Sequence, residues 1–180
     1  MNPTHPLALT TVTADNLLHK TREEIIDLCT RAFGEDYRPI IDPFNDETHV
    51  LGYVDGRLVT HGLWVTRYLQ VDDWVPLRTA YVEGVATDEA FRQRGYAQAV
   101  MERIAIEVQE YELAGLSPFS VSYYGRLGWE KWTGPLFIRT AEGLEQSPED
   151  EEVMILRLRN TPEFDRSQSL SAEWRKGELW

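Results

Sequence analysis

The residues best suited to chemistry in this sequence lie between positions 81 and 97. A β-type run, Tyr81-Val82-Glu83-Gly84-Val85-Ala86-Thr87, is followed after a short connection by Arg92-Gln93-Arg94-Gly95-Tyr96-Ala97. A strand that leads through a glycine turn into a helix aims the free N–H groups and the positive dipole end of that helix at one place. Arg92 and Arg94 add positive charge there. The pattern predicts an anion site, and the alternative is an ordinary strand-to-helix connection with surface arginines.

Strands are predicted on both sides of this block. Runs rich in β-branched and aromatic residues predict strands over 7–13, 48–54, 57–71, 75–86, 113–117, 130–140 and 152–159. Asp55-Gly56 suits a tight hairpin turn because both positions tolerate positive φ. The predicted order is a meander of strands, a crossover helix, a further strand, a short helix and a closing hairpin.

Apolar residues at helical spacing predict two main helices. One follows Thr21 and Glu24, which are expected to form a capping box, and the other follows the glycine turn of the block. A short helix is expected over 119–127, whereas the acidic segment 34–47 is expected to be an exposed loop. No repeat or linker marks a boundary. We therefore expect a single domain over residues 1–180, of the α/β class, with one mixed sheet flanked by helices.

The formal net charge of −12 over 180 residues limits the partners of this protein. Nucleic-acid binding needs a basic surface, so a cationic small molecule suits the chain better, although acidity also serves solubility alone. Cys29 lacks a disulfide partner and is expected in the core, and the four histidines show no metal-ligand spacing, so no metal is expected. Neither a signal-peptide pattern nor a membrane-length apolar run is found, so we expect a cytoplasmic protein without a membrane partner.

Two motifs resemble those of the GNAT superfamily of N-acetyltransferases. Arg92-x-x-Gly95-x-Ala97 is similar to its acetyl-CoA signature, and Tyr124-x-x-x-Gly128-Trp129 is similar to the segment with its catalytic tyrosine. The resemblance implies acetyl-CoA as cofactor, with CoA as product. The residues it assigns to the cofactor are Val85, Ala86 and Thr87 for the pantetheine arm, and Arg92, Gln93, Arg94, Gly95, Tyr96 and Ala97 for the pyrophosphate.

The resemblance also implies the catalytic groups. An amine that attacks a thioester needs a base for its ammonium proton and an acid for the departing thiolate. Tyr124 is the predicted acid, and the neighbouring Tyr123 is the alternative. Glu83 lies on the strand just before the cofactor-pairing residues and is the predicted base, acting directly or through a water. The alternative for Glu83 is a structural ion pair with Arg78.

Further motifs resemble the aminoglycoside 2′-N-acetyltransferases. They are Trp132-x-Gly134-Pro135, Ser147-Pro148-Glu149-Asp150 and the ending Trp174-Arg175-x-Gly177-x-x-Trp180. A cationic amino sugar is the implied acceptor, since several carboxylates can each bind one ammonium. The residues that the resemblance assigns to the acceptor, including the carboxylate of Trp180, are Asp36, Glu83, Gly84, Ser117, Glu149, Asp150, Glu178 and Trp180.

Differences from this group keep other acceptors open. The stretch around Pro118 and the segment 38–46 align poorly with it, which leaves room for a kasugamycin-type acceptor that lacks the deoxystreptamine ring. A second hypothesis is a GNAT enzyme for another amine, such as a polyamine or a protein N-terminus, and a third is a non-catalytic CoA-binding module. GNAT proteins often dimerise, so a homodimer also stays open.

Overall fold

The computed structural model describes residues 6–177 and 179–180, so the predicted role of Glu178 lies outside the described residues. The strands are β1 (Ala8–Thr13), β2 (Thr48–Val54), β3 (Arg57–Val71), β4 (Leu77–Thr87), β5 (Leu113–Leu116), β6 (Glu130–Lys131), β7 (Leu136–Thr140), β8 (Gly143–Gln146), β9 (Met154–Arg157) and β10 (Leu170–Glu173). The helices are α1 (His19–Phe33), α2 (Arg38–Ile41), α3 (Tyr96–Glu107) and α4 (Val121–Gly125). The chain divides into two compact units, the first with residues up to 65 and 83–106, and the second with 66–82 and 107–180.

The first unit is built on the hairpin of β2 and β3. β1 pairs antiparallel with β2, and β2 pairs antiparallel with β3. Asp55 and Gly56 both have positive φ, 50° and 77°, which confirms the predicted tight turn. Tyr53 pairs with Leu58 but Gly52 pairs with Thr60, so one residue of β3 is an extra, bulged residue. This β-bulge changes which side chains of β2 and β3 share a face.

The first long helix differs from its prediction at its start. α1 begins at His19 with Leu18 as its N-cap, and no side-chain cap bond is made there. The predicted capping box is therefore wrong, because Thr21 lies inside the first helical turn, where its hydroxyl cannot take the N-cap position. The predicted apolar stripe is confirmed for Ile25, Leu28 and Cys29, which are buried, but its last residue, Phe33, is 45% exposed.

The acidic segment 34–47 is only partly the exposed loop that was predicted. It contains the short helix α2, and Tyr37 and Ile41 are buried against the core beneath α1. Glu47 is 1% exposed because Arg22 donates to its carboxylate at 2.7 Å. Apolar side chains and one ion pair thus hold this segment on the unit.

In the first unit, β4 leads to α3 as the sequence predicts. Its last residues are followed by a single 3₁₀ turn at Glu89–Phe91, and α3 then packs on β3. A Cβ on Gly62 of β3 would lie 2.9 Å from the side chain of Val100, so glycine lets the helix approach closely. The β4–turn–α3 arrangement that the anion site requires is present.

The second unit contains the later strands. The first part of β4 pairs parallel with β5, β5 pairs antiparallel with β9, and β9 pairs antiparallel with β6. The end of β3 pairs antiparallel with β10, β10 pairs parallel with β7, and β7 pairs antiparallel with β8. The sheet pairing is therefore mixed, as expected. The sequence did not predict β8 or β10.

The predicted strand over 130–140 is wrong as one element, because it is broken between β6 and β7. The N–H groups of Thr133 and Gly134 both donate to the carbonyl of Arg166, at 3.0 and 2.8 Å. A Cβ on Gly134 would lie 1.8 Å from the carbonyl oxygen of Gln168. The chain around 166–168 thus takes the hydrogen bonds that a neighbouring strand would otherwise make.

Candidate active site

The loop between β4 and α3 has the geometry of an anion site. Gln93 and Gly95 adopt left-handed conformations, with φ of 61° and 79°, and turn the chain into α3. Ala99 donates to the carbonyl of Gly95 at 3.0 Å, so the helix hydrogen bonds start there and the first-turn amides, including those of Tyr96 and Ala97, have no acceptor within the helix. An anion placed before this twelve-residue helix would meet those N–H groups and the positive dipole end.

Two exposed arginines border this loop. Arg92 donates to the carbonyls of Thr87 and Ala32, each at 3.4 Å, and Arg94 donates to that of Ala90 at 3.1 Å. These bonds orient the guanidinium groups but use only some of their five N–H donors. In a chain of net charge −12, this is a basic surface where a pyrophosphate could bind.

β4 bends at Gly84, between the candidate base and the predicted pantetheine-binding residues. Gly84 has a φ of 59°, and its carbonyl lies 2.8 Å from Nδ1 of His61 on β3. Two residues further on, the hydroxyl of Thr60 donates to the carbonyl of Ala86 at 3.0 Å and contacts that of Thr87 at 2.9 Å. Side chains of β3 thus hold the backbone of β4 around Glu83, which is half-buried.

Asp36 is exposed in the segment between α1 and α2. Its carboxylate accepts a hydrogen bond from the backbone N–H of Arg38 at 3.1 Å. The guanidinium of Arg38 is engaged by Glu23 at 2.6 Å, and this contact raises the pKa of Arg38 and lowers that of Glu23. Asp36 therefore keeps an exposed carboxylate with which a cationic ligand could pair.

In the second unit, α4 explains the spacing of the tyrosine motif. Ser120 caps the helix by accepting from the N–H of Tyr123, and Gly128 is left-handed with a φ of 87°. This turn lets the N–H of Trp129 donate to the carbonyl of Tyr124 at 3.2 Å. Glycine at the fourth position after Tyr124 closes the helix and brings Trp129 back over it.

Tyr124 is 3% exposed and lies in an aromatic cluster. Its ring centroid is 5.1 Å from that of Tyr123 and 6.3 Å from that of Trp129, both edge to face. Burial, and secondarily the neighbouring Tyr123, raises the pKa of the Tyr124 phenol above its ordinary value. The phenol is therefore protonated at neutral pH, as a general acid must be.

Arg78, the alternative ion-pair partner of Glu83, is engaged within the second unit. Its guanidinium stacks on the ring of Tyr111, 3.9 Å from the centroid. Its backbone N–H donates to the carboxylate of Glu112 at 2.7 Å. The side chain and the backbone N–H of Arg78 are therefore both engaged by residues other than Glu83.

Trp180 is packed into the second unit and is 7% exposed. Its indole N–H donates to the hydroxyl of Ser147 at 2.7 Å. Ser147 lies on the wall of a cavity of about 600 Å³ that Glu149 and Asp150 also line. Two segments assigned to the acceptor on resemblance alone, 147–150 and the ending at Trp180, are thus connected, whereas Ser117 is exposed at the end of β5.

The cavity is acidic. Four consecutive acidic residues, 149–152, line it, and Lys131 on its wall pairs with Glu152. Trp132 adds an aromatic surface. A cavity with this lining suits a cationic ligand that also carries apolar ring faces.

Sequence reasoning missed Arg67, which is 1% exposed in the second unit. Its guanidinium donates to the carbonyls of Leu179 at 2.6 Å and Glu173 at 2.8 Å, and lies 5.0 Å from the ring centroid of Tyr81. Through these hydrogen bonds Arg67 holds the backbone of the segment that ends in Trp180. The only signal in the sequence was an arginine within an otherwise apolar stretch of β3, since a buried arginine needs specific partners.

Sequence reasoning also missed a buried polar cluster in the first unit. His49 and His61 are both 0% exposed and lie 2.9 Å apart through their ring nitrogens. Within the described part of the chain, no three His, Cys, Asp or Glu side chains are arranged as metal ligands. Cys29 lies next to His61, and burial raises the pKa of its thiol to about 12, so it is an unreactive core residue.

Residues 14–132 match the protein family described as "Acetyltransferase (GNAT) domain". An aminoglycoside 2′-N-acetyltransferase from Mycolicibacterium fortuitum is 30% identical over 94% of this chain and 90% of its own length. Taken with the β4–α3 loop, these matches identify the class. The chain belongs to the GNAT acetyltransferase family.

Solved structures with low sequence identity confirm the fold. YhbS from Escherichia coli, a GNAT family N-acetyltransferase in complex with CoA, aligns with a TM-score of 0.68 at 16% identity, covering 98% of this chain and 93% of that one. An acyl-CoA N-acyltransferase from Pseudomonas aeruginosa aligns with a TM-score of 0.60 at 18% identity, covering 84% and 99%. The predicted α/β class, with a mixed sheet flanked by helices, is confirmed. In the described residues, none of the helices has the length and apolar composition that crossing a bilayer requires.

Proposed function

We propose that this protein transfers the acetyl group of acetyl-CoA to an amine of a cationic amino sugar, the 2′-amine of an aminoglycoside antibiotic. The observation that best supports this acceptor is the hydrogen bond of Trp180 to Ser147 beside an acidic cavity of about 600 Å³. This bond joins two motifs that are far apart in the sequence. The relative from M. fortuitum supports the same acceptor class.

Acetyl-CoA fits the first unit. Its pyrophosphate needs positive charge and N–H donors, and the β4–α3 loop offers Arg92, Arg94 and the amides before α3. Its extended pantetheine arm can pair with strand backbone, which the residues Val85, Ala86 and Thr87 supply at the end of β4. Bound there, acetyl-CoA supplies the thioester.

The reaction must remove protons from the attacking nitrogen and give one to the departing thiolate. Glu83 takes the proton of the ammonium, directly or through a water, so that the amine nitrogen can bond to the acetyl carbon. The C–S bond breaks, Tyr124 gives its proton to the departing thiolate, and the second proton that the nitrogen releases as it becomes an amide restores the phenol. Burial keeps Tyr124 protonated until that step. The spacing to Gly128-Trp129 favours Tyr124 over Tyr123 as the acid.

The acceptor binds through carboxylates. The proposed acceptor contacts are the carboxylates of Asp36, Glu83, Glu149 and Asp150, each of which offers an oxygen pair to an ammonium group. Separate carboxylates orient a polyamine sugar, so one amine is presented for reaction. The net charge of −12 suits this acceptor and disfavours nucleic acid.

Thiol-release kinetics with acetyl-CoA test the acceptor. The panel contains a pair of aminoglycosides that differ only in an amine or a hydroxyl at the 2′ position, together with kasugamycin, spermidine and a peptide with a free N-terminus. We expect turnover with the 2′-amine compound and little with its 2′-hydroxyl partner. The mass and NMR spectrum of the product locate the acetyl group.

The other outcomes separate the alternatives. Turnover with kasugamycin alone would keep the amino-sugar class but replace the deoxystreptamine acceptor. Preference for spermidine or the peptide would reject the amino sugar. No turnover with any amine, together with tight CoA binding, would favour a non-catalytic module.

A further inference from the structure

A line of buried polar side chains in the first unit ends at the bend of β4. Arg22 donates to Oε1 of Glu47 at 2.7 Å, and that oxygen lies 3.6 Å from Nε2 of His49. Nδ1 of His49 is 2.9 Å from Nε2 of His61, and Nδ1 of His61 is 2.8 Å from the carbonyl oxygen of Gly84. Glu47, His49 and His61 are each at most 1% exposed. We call these three residues the Glu47–His49–His61 relay.

The partners determine where the ring hydrogens lie. A carbonyl oxygen carries no hydrogen, so Nδ1 of His61 must donate to Gly84. Burial, and then the nearby His49, lowers the pKa of His61 to about 3, so its ring is neutral and its Nε2 is an acceptor. His49 must therefore donate from Nδ1 to that nitrogen. The relay permits one direction of hydrogen bonding, from His49 through His61 to Gly84.

Glu47 completes the relay as an ionised carboxylate. Burial by itself raises the pKa of Glu47, but the nearby His49 ring and the bond from Arg22 outweigh this effect and lower it to about 2. Its Oε1 faces the Nε2 side of the His49 ring, at 3.6 Å. At that distance the carboxylate makes no hydrogen bond to the ring, so the orientation of His49 rests on its own bond from Nδ1 to His61.

The relay ends at the carbonyl of Gly84, which lies in the chain between Glu83 and Val85. Gly84 has a φ of 59°, and a Cβ there would lie 3.4 Å from the ring of His61 and 3.5 Å from that of Tyr37. The described chain contains no cis peptide, so the Gly84 carbonyl and the Val85 N–H point in opposite directions. Holding the carbonyl towards His61 therefore fixes the direction of the Val85 N–H, and it fixes the backbone next to Glu83.

We propose that His61, oriented by His49, is a positioning residue for acetyl transfer: it holds the Val85 N–H and the Glu83 backbone in place through its hydrogen bond to Gly84. The inference rests on the proposed function, in which β4 holds the thioester beside Glu83. A preset N–H donor lowers the barrier because it needs no reorganisation as charge develops on the thioester oxygen. His61 itself touches no substrate in this role.

Two variants of His61 separate positioning from packing. His61→Asn keeps an N–H donor near the place of Nδ1, whereas His61→Leu has a similar volume and no donor. We expect His61→Leu to lower kcat about 10- to 100-fold, as loss of a supporting hydrogen bond does elsewhere, with a change in KM for acetyl-CoA below about threefold. His61→Asn should recover most of that loss. Leu63→Met, a volume-conserving change at a fully buried residue of the same strand, is the control and should leave kcat unchanged.

Variants of His49 test the hydrogen bond from His49 to His61 in the same way. His49→Asn can still donate to Nε2 of His61, and His49→Leu cannot. We expect the Leu variant to lower kcat severalfold and the Asn variant to restore it. Thermal unfolding of all variants is measured alongside, so that a loss of folded protein is not counted as a loss of turnover.

An NMR measurement on the free protein is independent of the acceptor. The ¹⁵N shifts of the His61 ring should show a neutral ring protonated at Nδ1. Addition of coenzyme A should shift the amide resonance of Val85 in the wild type, and less in His61→Leu. These readouts remain informative if no amine on the acceptor panel reacts, so they separate failure of the relay from failure of the proposed function.

Three results would overturn the inference. One is a His61 ring protonated at Nε2 instead of Nδ1. Another is an equal loss of kcat in the Asn and Leu variants with equally lowered thermal stability, which would make the relay purely structural. The third is unchanged kcat in a folded His61→Leu variant.

Discussion

The two compact units hold their functional backbone in different ways. In the first unit, His61 reaches the carbonyl of Gly84 from the adjacent strand, so a regular sheet holds the bend of β4. In the second unit, Arg67 reaches the carbonyls of Glu173 and Leu179, more than a hundred residues away in the chain. The described residues after β10, 174–177 and 179–180, form no helix or strand. The bend of β4 therefore depends on sheet geometry, whereas the segment that carries Trp180 depends on side-chain bonds from Arg67 and to Ser147.

The units also differ in the charge they present. The β4–α3 loop is bordered by Arg92 and Arg94, and the cavity of the second unit is lined by the acidic residues 149–152. A pyrophosphate and a polyamine require these opposite surroundings. Substitutions around the β4–α3 loop should therefore act on acetyl-CoA binding, and those around the acidic cavity on the acceptor.

The largest effect is expected for Glu83→Gln in the first unit. The amide cannot accept the ammonium proton, so kcat should fall roughly 10²- to 10⁴-fold while CoA binding is retained. The fall of activity at low pH that a catalytic carboxylate produces should also flatten. Steady-state kinetics from pH 5 to 9 and CoA titration calorimetry check this. An unaltered pH profile would assign the base to another group.

Glu47→Gln tests whether the relay also stabilises the first unit. The pKa of Glu47 falls from its ordinary value of 4.5 to about 2 on folding, so its contribution is present above about pH 4.5 and is lost as the pH falls towards 2. The shift corresponds to about 3 kcal/mol at neutral pH. Urea unfolding should show a lower free energy of unfolding for the variant at pH 7 and a narrowing difference from wild type at pH 3. Glu24→Gln is the control, because Glu24 is exposed and lies 3.7 Å from Lys20.

Tyr124→Phe in the second unit should have a smaller effect on kcat. A thiolate is a weaker base than an alkoxide, so it needs less help to leave, and we expect a loss of roughly 10- to 100-fold with little change in CoA affinity. Tyr123→Phe is the matched control and should retain most of the turnover. If the two variants exchange these results, Tyr123 is the acid.

The smallest effect is expected for Arg67→Lys. A lysine cannot serve both backbone carbonyls, so the segment that carries Trp180 should loosen and KM for the acceptor should rise roughly tenfold. KM for acetyl-CoA should stay unchanged. Arg159→Lys, which alters an exposed ion pair with Glu110, is the control. Equal changes in both KM values would remove the distinction between the units.

Locally encoded parts of the site were predictable. The Asp55-Gly56 turn, the apolar stripe of α3, and the glycine turn before it follow from residue type and periodicity over a few positions. The Tyr124-to-Trp129 spacing is also local, since one helical turn and one left-handed glycine explain it. These features needed no knowledge of distant contacts.

Other parts depended on pairing register. A simple hairpin around Asp55-Gly56 would place His49 and His61 on opposite faces, because side chains alternate along strands. The bulge between Gly52 and Thr60 shifts the register by one residue, so that His49 pairs with Leu63 and shares a face with His61. The residue types at the bulge do not predict this shift in register, so the relay could not be predicted from the sequence.

The amino-acid sequence by itself determined the family, the β4–α3 loop and the candidate proton-transfer pair. Each of these corresponds to a short motif whose conformation depends on neighbouring residues in the chain. Tertiary structure alone decided what supports them. The bond from His49 to His61, the bond from Arg67 to Leu179 and the bond from Trp180 to Ser147 join residues that are 12, 112 and 33 positions apart. Such contacts depend on strand register and on which side chains lose water together, and neither is a property of a local stretch of chain.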